Sequence, residues 1–223
     1  MARPKEALIS RRRSLETALK IIDEEGLGAL SIRRLADELG VNGASLYHHF
    51  ENKDAIVTGA AQLALAEVRA PDVGAGSWRE WLPNNAKRLR AALLAHPELI
   101  QVIVAKRSID VGPRELETSA AHLIGEGVPS AAVMPLIESL ELIAIGSALH
   151  ETKGAPSLDD QAALQSSEDY PVLAKALRDR GLTSEEMFDV VTASIVRGVE
   201  EAIKERQARW LPAGVVTDGP NST

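Results

Sequence analysis

The chain has 223 residues, 45% of them hydrophobic and 26% charged, which is the composition of a folded globular protein and excludes a disordered chain. Aromatics make up only 3% and the apolar content is mostly Ala, Leu, Ile and Val, which favours helix over an all-β sandwich. There is no Cys, so disulfides, thiolate metal sites, iron–sulfur clusters and a cysteine nucleophile are excluded, and the net charge of −7 speaks against a uniformly basic nucleic-acid binder.

The first ten residues lack the apolar core of a signal peptide. Ser10-Arg11-Arg12-Arg13-Ser14-Leu15 superficially matches a twin-arginine export signal, but the sequence after it is amphipathic and charged, so no leader is expected and the cytoplasm is the expected location. No apolar run is expected to approach the length needed to cross a bilayer, and no membrane partner is expected.

Residues 11–25 read as a helix with Leu15, Leu19 and Ile22 on one stripe, ended by Gly26 and Gly28. Ser31 is a suitable N-cap for a helix over 32–38, with Leu35, Ala36 and Leu39 facing inward and Gly40 ending it. Asn42 caps a short helix within 41–50, and Asn52 caps another from Lys53 to about Val68. Residues 70–77 are turn formers and read as a linker.

The remainder is also expected to be helical. Trp78 to Ala95 carries Leu82, Ala86, Leu89 and Leu93 on one stripe, and Pro97 opens a shorter helix over 98–105. Pro113 opens one to about Ile124, and residues 130–151 form a long helix with a wide apolar stripe from Val133 to Ser147. Residues 152–169 read as a polar loop, and Pro171 opens a short helix ending at Gly181. Thr183 with Glu186 is a capping box for a last helix carrying Phe188, Val191, Ile195, Val199 and Ile203, and 211–223 reads as a tail. The expected fold is all-α: a small helical domain over 1–56 with an N-terminal arm, a larger helical domain over 57–210, and the tail over 211–223.

Charge divides in the same way. Residues 1–53 hold nine Lys/Arg against eight Asp/Glu, and the rest holds sixteen against twenty-four. A near-neutral head with cations at Arg3, Lys5, Arg11, Arg12, Arg13, Arg33, Arg34 and Lys53 can meet a polyanion, although solvated helix faces carry such charges too. Within it, Leu30 to Phe50 has helix-turn-helix logic. Ala36 allows a close helix crossing, Gly40 makes the turn, Val41 and Leu46 plug the core, and Asn42, Gly43, Ala44 and Ser45 are small enough for a groove. Tyr47, His48, His49 and Lys53 offer donors to phosphate.

Ser31 to Lys53 resembles the DNA-binding domain of the TetR family of bacterial regulators, most specifically through Leu46-Tyr47-x-His49-Phe50-x-Asn52-Lys53. Gly76 to Ala86 and the helices up to Glu151 resemble the C-terminal domain of the tetracycline-repressor subgroup. The resemblance implies a dimeric repressor on a palindromic double-stranded operator, released by a small-molecule effector, with no resident cofactor and no catalysis. It implies Arg33 as a base reader, Asn42, Gly43, Ala44 and Ser45 at groove-facing positions, and Tyr47, His49 and Lys53 on the backbone. His48 stands where a bulky aromatic is common. Gly43 and Ala44 have no polar side chain, so direct readout rests on Arg33, Asn42 and Ser45.

The same resemblance gives a dimer interface at Leu136, Leu140, Ile143, Ser147, Ile195, Val199 and Ile203. It gives effector contacts at Asn85, Leu89, Ile103, Lys106, Leu116, Ser119, Met134, Ile137 and Glu141, each of which also suits plain core. Ile103 replaces a metal-binding His, Ser119 a drug-contacting Gln, Glu67 falls near the position of another drug-contacting His, and His150 falls where a Glu assists metal hydration. The expected effector is therefore apolar or amphipathic rather than a magnesium–drug complex. An all-helical enzyme, or a small-molecule binder with a vestigial helix-turn-helix, is the alternative. His48 and His49 are adjacent and so point about 100° apart, a poor chelating pair, and there is no phosphate loop, dinucleotide fingerprint or nucleophile elbow.

Overall fold

The structure, a computed structural model, describes residues 10–69, 76–106, 113–152 and 163–204. Among these all regular structure is helical: α1 Arg11–Glu25, α2 Ile32–Leu39, α3 Gly43–Leu46, α4 Lys53–Ala64, α5 Ala66–Arg69, α6 Trp78–Ala95, α7 Pro97–Lys106, α8 Pro113–Gly125, α9 Ser130–Thr152, α10 Pro171–Asp179 and α11 Ser184–Lys204. The N-terminal arm with Arg3 and Lys5, the linker 70–75, most of the loop 152–169 and the tail lie outside the described residues.

Side chains fix the helix starts, because the first N–H groups of a helix have no partner within it. The Arg13 N–H donates to Ser10 Oγ at 3.2 Å, the Arg34 N–H to Ser31 Oγ at 3.0 Å, the Ala44 N–H to Asn42 Oδ1 at 3.0 Å and the Ala55 N–H to Asn52 Oδ1 at 2.9 Å. At α11 the Glu186 N–H donates to Thr183 Oγ1 at 3.2 Å while the Thr183 N–H donates to Glu186 Oε2 at 2.8 Å, a reciprocal box. Gly40 takes the left-handed conformation with φ 68°, and its N–H reaches the Ala36 and Asp37 carbonyls, which stops α2 and turns the chain into α3. The helix expected to run from 53 to 68 instead breaks at Leu65, and α5 follows as a separate turn.

The chain divides into two compact units, residues up to 70 with 91–111, and residues 71–90 with 112 onward, so the division falls inside α6. The first unit is built on α1 crossing α4. Leu15, Ala18, Ile21 and Ile22 meet Ile56, Val57, Ala60 and Ala61, with Leu35, Ala36, Leu46 and Phe50 closing the core and Leu99 and Val102 of α7 joining it. Residue 59 is glycine because the helices touch there: a Cβ would lie 2.7 Å from Leu15 Cδ2. The end of α1 and the turn after it are tied to the start of α7, with His96 Nδ1 2.9 Å from the Asp23 carboxylate and the Leu27 N–H donating to Glu98 Oε2 at 3.3 Å. The boundary expected after residue 56 thus cuts a helix whose Val57, Ala60 and Ala61 belong to this core.

In the second unit α9 packs along α11 and against α8. Trp78, Trp81, Leu82, Ala86 and Leu89 of α6 are buried. The Trp78 N–H donates to Glu126 Oε2 at 3.1 Å, and the Trp81 ring meets His122 edge-on at 6.0 Å. Arg90 is 7% exposed and fully answered: Nε donates to Ser147 Oγ at 2.9 Å, Nη2 pairs with Glu151, and the guanidinium lies 5.4 Å from the centre of the Phe188 ring. The buried stripe of α11 is Phe188, Thr192, Val196 and Val199, while the expected Val191 and Ile195 are only half-buried.

One expectation is overturned. α9 is, by length and composition alone, long and apolar enough to cross a bilayer. Ala, Gly and Ser between its Leu and Ile residues sustain an apolar run that Glu138 and Glu141 do not break. Only 33% of its most apolar window is buried within this chain.

Candidate nucleic-acid interface and effector site

α2, the Gly40 turn and α3 present one small surface. Leu46 is fully buried and pins the short helix, so its neighbours are pushed outward on either side. Ala44, Tyr47 and His48 are exposed, with Tyr47 at 60%, while Ser45 and His49 are half-buried. His49 sits edge-on to Phe50, with ring centres 6.3 Å apart. Asn42 is exposed, but its Oδ1 is committed to the cap, which leaves the amide NH2 for an outside acceptor. Gly43 faces the other way: a Cβ there would lie 3.7 Å from Ile32 Cγ2, so residue 43 serves the crossing with α2 rather than an outer surface.

The two adjacent arginines have different tasks. Arg34 donates to Glu25 through Nε at 3.2 Å and Nη2 at 2.5 Å, and to Glu38 through Nη1 at 2.8 Å. Those hydrogen bonds raise the guanidinium further above its ordinary value, and the bond from Arg34 holds the Glu25 carboxyl below the usual carboxylate range. Arg34 is therefore a clamp between α1 and α2. The Arg33 side chain is 93% exposed and, among the described residues, meets only Asp37 at 3.9 Å, a contact worth little in water. Lys53 is exposed and lends Nζ to the Leu27 carbonyl at 3.4 Å, which leaves donors for an anion at the start of α4. Arg11 rests 5.4 Å from the Phe50 ring centre, and Arg12 pairs with Glu16 at 2.8 Å. An outward guanidinium, a phenol, imidazoles and an ammonium around a buried anchor can grip phosphates and reach base edges.

The expected effector residues are more scattered. Asn85 is half-buried and accepts from Arg88 Nη2 at 3.3 Å. Leu89, Ile103 and Ile137 are buried, Leu116, Ser119 and Glu141 half-buried, and Met134 is 40% exposed. Ile103 belongs to the first unit and the others to the second, while the side chains of Lys106 and Glu67 lie outside the described residues. Burial, then the neighbouring Glu138 charge, raise the Glu141 carboxyl above its ordinary range. Among the described residues no three His, Cys, Asp or Glu side chains cluster as a metal site requires, and Ile103 brings only an alkyl chain.

The expected interface residues also separate. Leu136, Leu140 and Val199 are buried within the single chain, which leaves little of them for a second copy to cover. Ile143, Ser147 and Ile195 are half-buried, and the Ile203 side chain lies outside the described residues. Besides Met134, the uncovered large apolar residues on the same two helices are Leu142 at 70%, Val190 at 50% and Met187 at 42% exposure. Leu142 and Met187, with Ile143, Gly146 and Val191, border a cavity of about 280 Å³ whose polar end is Ser147, His150, Glu151 and Ser184. Sequence reasoning missed this face because α9 is apolar nearly all round, so no stripe singles out one side.

Comparison with known proteins agrees with this architecture. Residues 15–60 match the model of bacterial regulatory proteins of the tetR family, and residues 70–203 match the tetracyclin repressor-like C-terminal domain. The chain is 28% identical to the class D tetracycline repressor protein of Escherichia coli over 201 residues, 87% of this chain and 90% of the repressor. Of solved structures, ActR of Streptomyces coelicolor bound to actinorhodin is similar with a TM-score of 0.72 at 28% identity, covering 88% of this chain and 99% of ActR. TetR from Acinetobacter baumannii AYE is similar with a TM-score of 0.68 at 25% identity, covering 86% and 97%.

Proposed function

Since the chain belongs to the TetR family and is a ligand-responsive, DNA-binding transcriptional regulator rather than an enzyme, we propose that it acts as a dimeric repressor on a palindromic operator in the cytoplasm. Relatives of this family bind operator DNA and small-molecule effectors and work as dimers. The observation that carries the reading is the capped α2–turn–α3 unit, which exposes Arg33, Ala44, Tyr47 and His48 around the buried Leu46. In this reading α3 enters the major groove, and Arg33 reads a base edge with the free amide of Asn42 and the hydroxyl of Ser45. Tyr47, His49 and Lys53 hold phosphates. The two half-sites lie about one helical turn, or a multiple of it, apart.

A second copy covers the Leu142–Val190 face of α9 and α11, and the effector binds in the second unit. An apolar or amphipathic effector fits better than a magnesium-held drug, because among the described residues no three His, Cys, Asp or Glu side chains come together to hold a metal. ActR, similar over most of this chain, has been solved with actinorhodin and with (S)-DNPA. Release of DNA requires only that the effector bind the DNA-incompetent arrangement more tightly than the competent one. Selecting bound duplexes from a random library at two salt concentrations tests the reading. A palindrome with half-sites one turn apart supports it, whereas unselective binding that vanishes as salt rises contradicts it.

A further inference from the structure

We propose that the effector is an organic acid, with a carboxylate received by Arg88 and Asn85 and a second acceptor oxygen received by the indole of Trp81. This rests on the reading of the second unit as effector-binding. Trp81, Asn85 and Arg88 stand at i, i+4 and i+7 on α6 and so share one helix face. Trp81 is 6% exposed, and its Nε1–H is closed to solvent with no protein acceptor in reach. The Nε–H of Arg88 is likewise enclosed and unanswered. Arg88 Nη2 donates to Asn85 Oδ1 at 3.3 Å, which leaves the Asn85 amide NH2 as a further donor.

Three neighbouring side chains thus present N–H groups, and the one acceptor among them, Asn85 Oδ1, already takes Arg88 Nη2 while Trp81 Nε1 and Arg88 Nε stay unanswered. An indole only donates, and a guanidinium neither accepts nor loses its proton, so the row cannot satisfy itself by rotation or titration. Other cations on α6 are matched within the chain: Arg79 with Glu200 at 3.1 Å, Lys87 with Glu185 at 2.8 Å and Asp189 at 3.2 Å, and Arg90 with Glu151. Among the described residues Arg88 has no carboxylate partner. Glu126, at the Trp78 end of α6, is engaged by the Trp78 N–H and stands 3.8 Å from His122 Nε2.

What the row lacks is an anion with two acceptor oxygens in a plane, which a guanidinium fork matches bidentately. A primary amide of the same shape has one acceptor and would turn its own N–H groups against donors. Seven residues of helix rise about 10 Å, so a single carboxylate does not serve both ends of the row, and a second oxygen on the same molecule meets Trp81. Leu89, one turn beyond Asn85 and buried, continues the face with an apolar wall for the body of the molecule.

The test uses the full chain and matched pairs of acid and primary amide: 6-hydroxy-2-naphthoate, 4′-hydroxybiphenyl-4-carboxylate and 12-hydroxydodecanoate, each beside its amide. Affinity is read by calorimetry and stability by thermal melting. At least one acid is expected to bind tenfold or more tightly than its amide. Arg88→Gln should abolish that preference, Arg88→Lys should retain part of it, and Trp81→Phe should weaken acid and amide alike by several-fold, because both carry the second oxygen. If Arg88→Gln does not fold, the partial loss in Arg88→Lys carries the test. Acids and amides that tie across the panel, or a preference that survives the Arg88 variants, overturn the proposal. An acid that binds through Arg88 but leaves operator DNA bound upholds the acid-binding row and overturns the reading of it as the effector site.

Discussion

At the residue scale, Arg33 and Lys53 separate reading from holding. Arg33 reaches into solvent with only a weak tie to Asp37, whereas Lys53 stands at a helix start with Nζ on the Leu27 carbonyl. Arg33→Ala should cost about 1–3 kcal/mol on the operator and little on random DNA. Lys53→Ala should weaken both alike and lower the salt slope by about one. Titration of the two proteins with both duplexes across a salt series checks this, and equal losses for Arg33→Ala on both would remove it as a base reader. Glu141 makes a prediction in pH. Its folded carboxyl is raised by burial and by Glu138, so the folded chain holds that proton more tightly than the unfolded chain does. The cost of its charge is present above the raised value and fades as pH falls towards the ordinary glutamate range. Glu141→Gln should therefore melt higher than the parent at neutral pH, with a gap that closes on acidification. An unchanging gap would assign the gain to something other than the charge.

At the element scale, legibility followed local chemistry. Ser31, Asn42, Asn52 and the Thr183–Glu186 box mark their helix starts in the sequence because a cap is decided within four residues. The break at Leu65 was not legible, since 53–68 has no Gly or Pro punctuation that would end it there. Gly43 was read as groove-facing from its size, yet its side of α3 is decided by Ile32 on another helix. The two arginines 33 and 34 look alike in sequence, and only the position of Glu25 across α1 commits one of them. Gly59 shows the same dependence on tertiary context. A lone glycine in a helix normally gains about 1 kcal/mol on replacement by Ala. Here the new methyl would meet Leu15 Cδ2 at 2.7 Å in a packed crossing, and overpacking costs about 1–3 kcal/mol. Gly59→Ala should thus lower stability by about 1 kcal/mol in urea unfolding, and a clear gain instead would mean that Leu15 moves aside freely.

At the scale of the whole molecule, one chain leaves an apolar face that its own core does not use. Leu136, Leu140 and Val199 fill the interior of the second unit, while on the same two helices Leu142 and Met187 stay in water beside the cavity that Ile143 and Val191 border, and Val190 is exposed next to Val191 in the chain. Large exposed apolar residues grouped in this way mark an association surface. A two-fold dimer uses one patch twice, so a single charged substitution enters the interface twice and repels itself. Leu142→Glu combined with Val190→Glu should give monomers in sedimentation, with helix content kept because both positions are exposed in the single chain. The monomer should hold a half-site about as the parent does but lose about 10²–10⁴-fold on the full palindrome, since the second half-site is no longer delivered by a linked partner. The partition between these readouts decides the matter. A variant that stays dimeric places the interface on another surface, and a monomer that keeps full operator affinity shows that pairing of the two subunits does not set recognition.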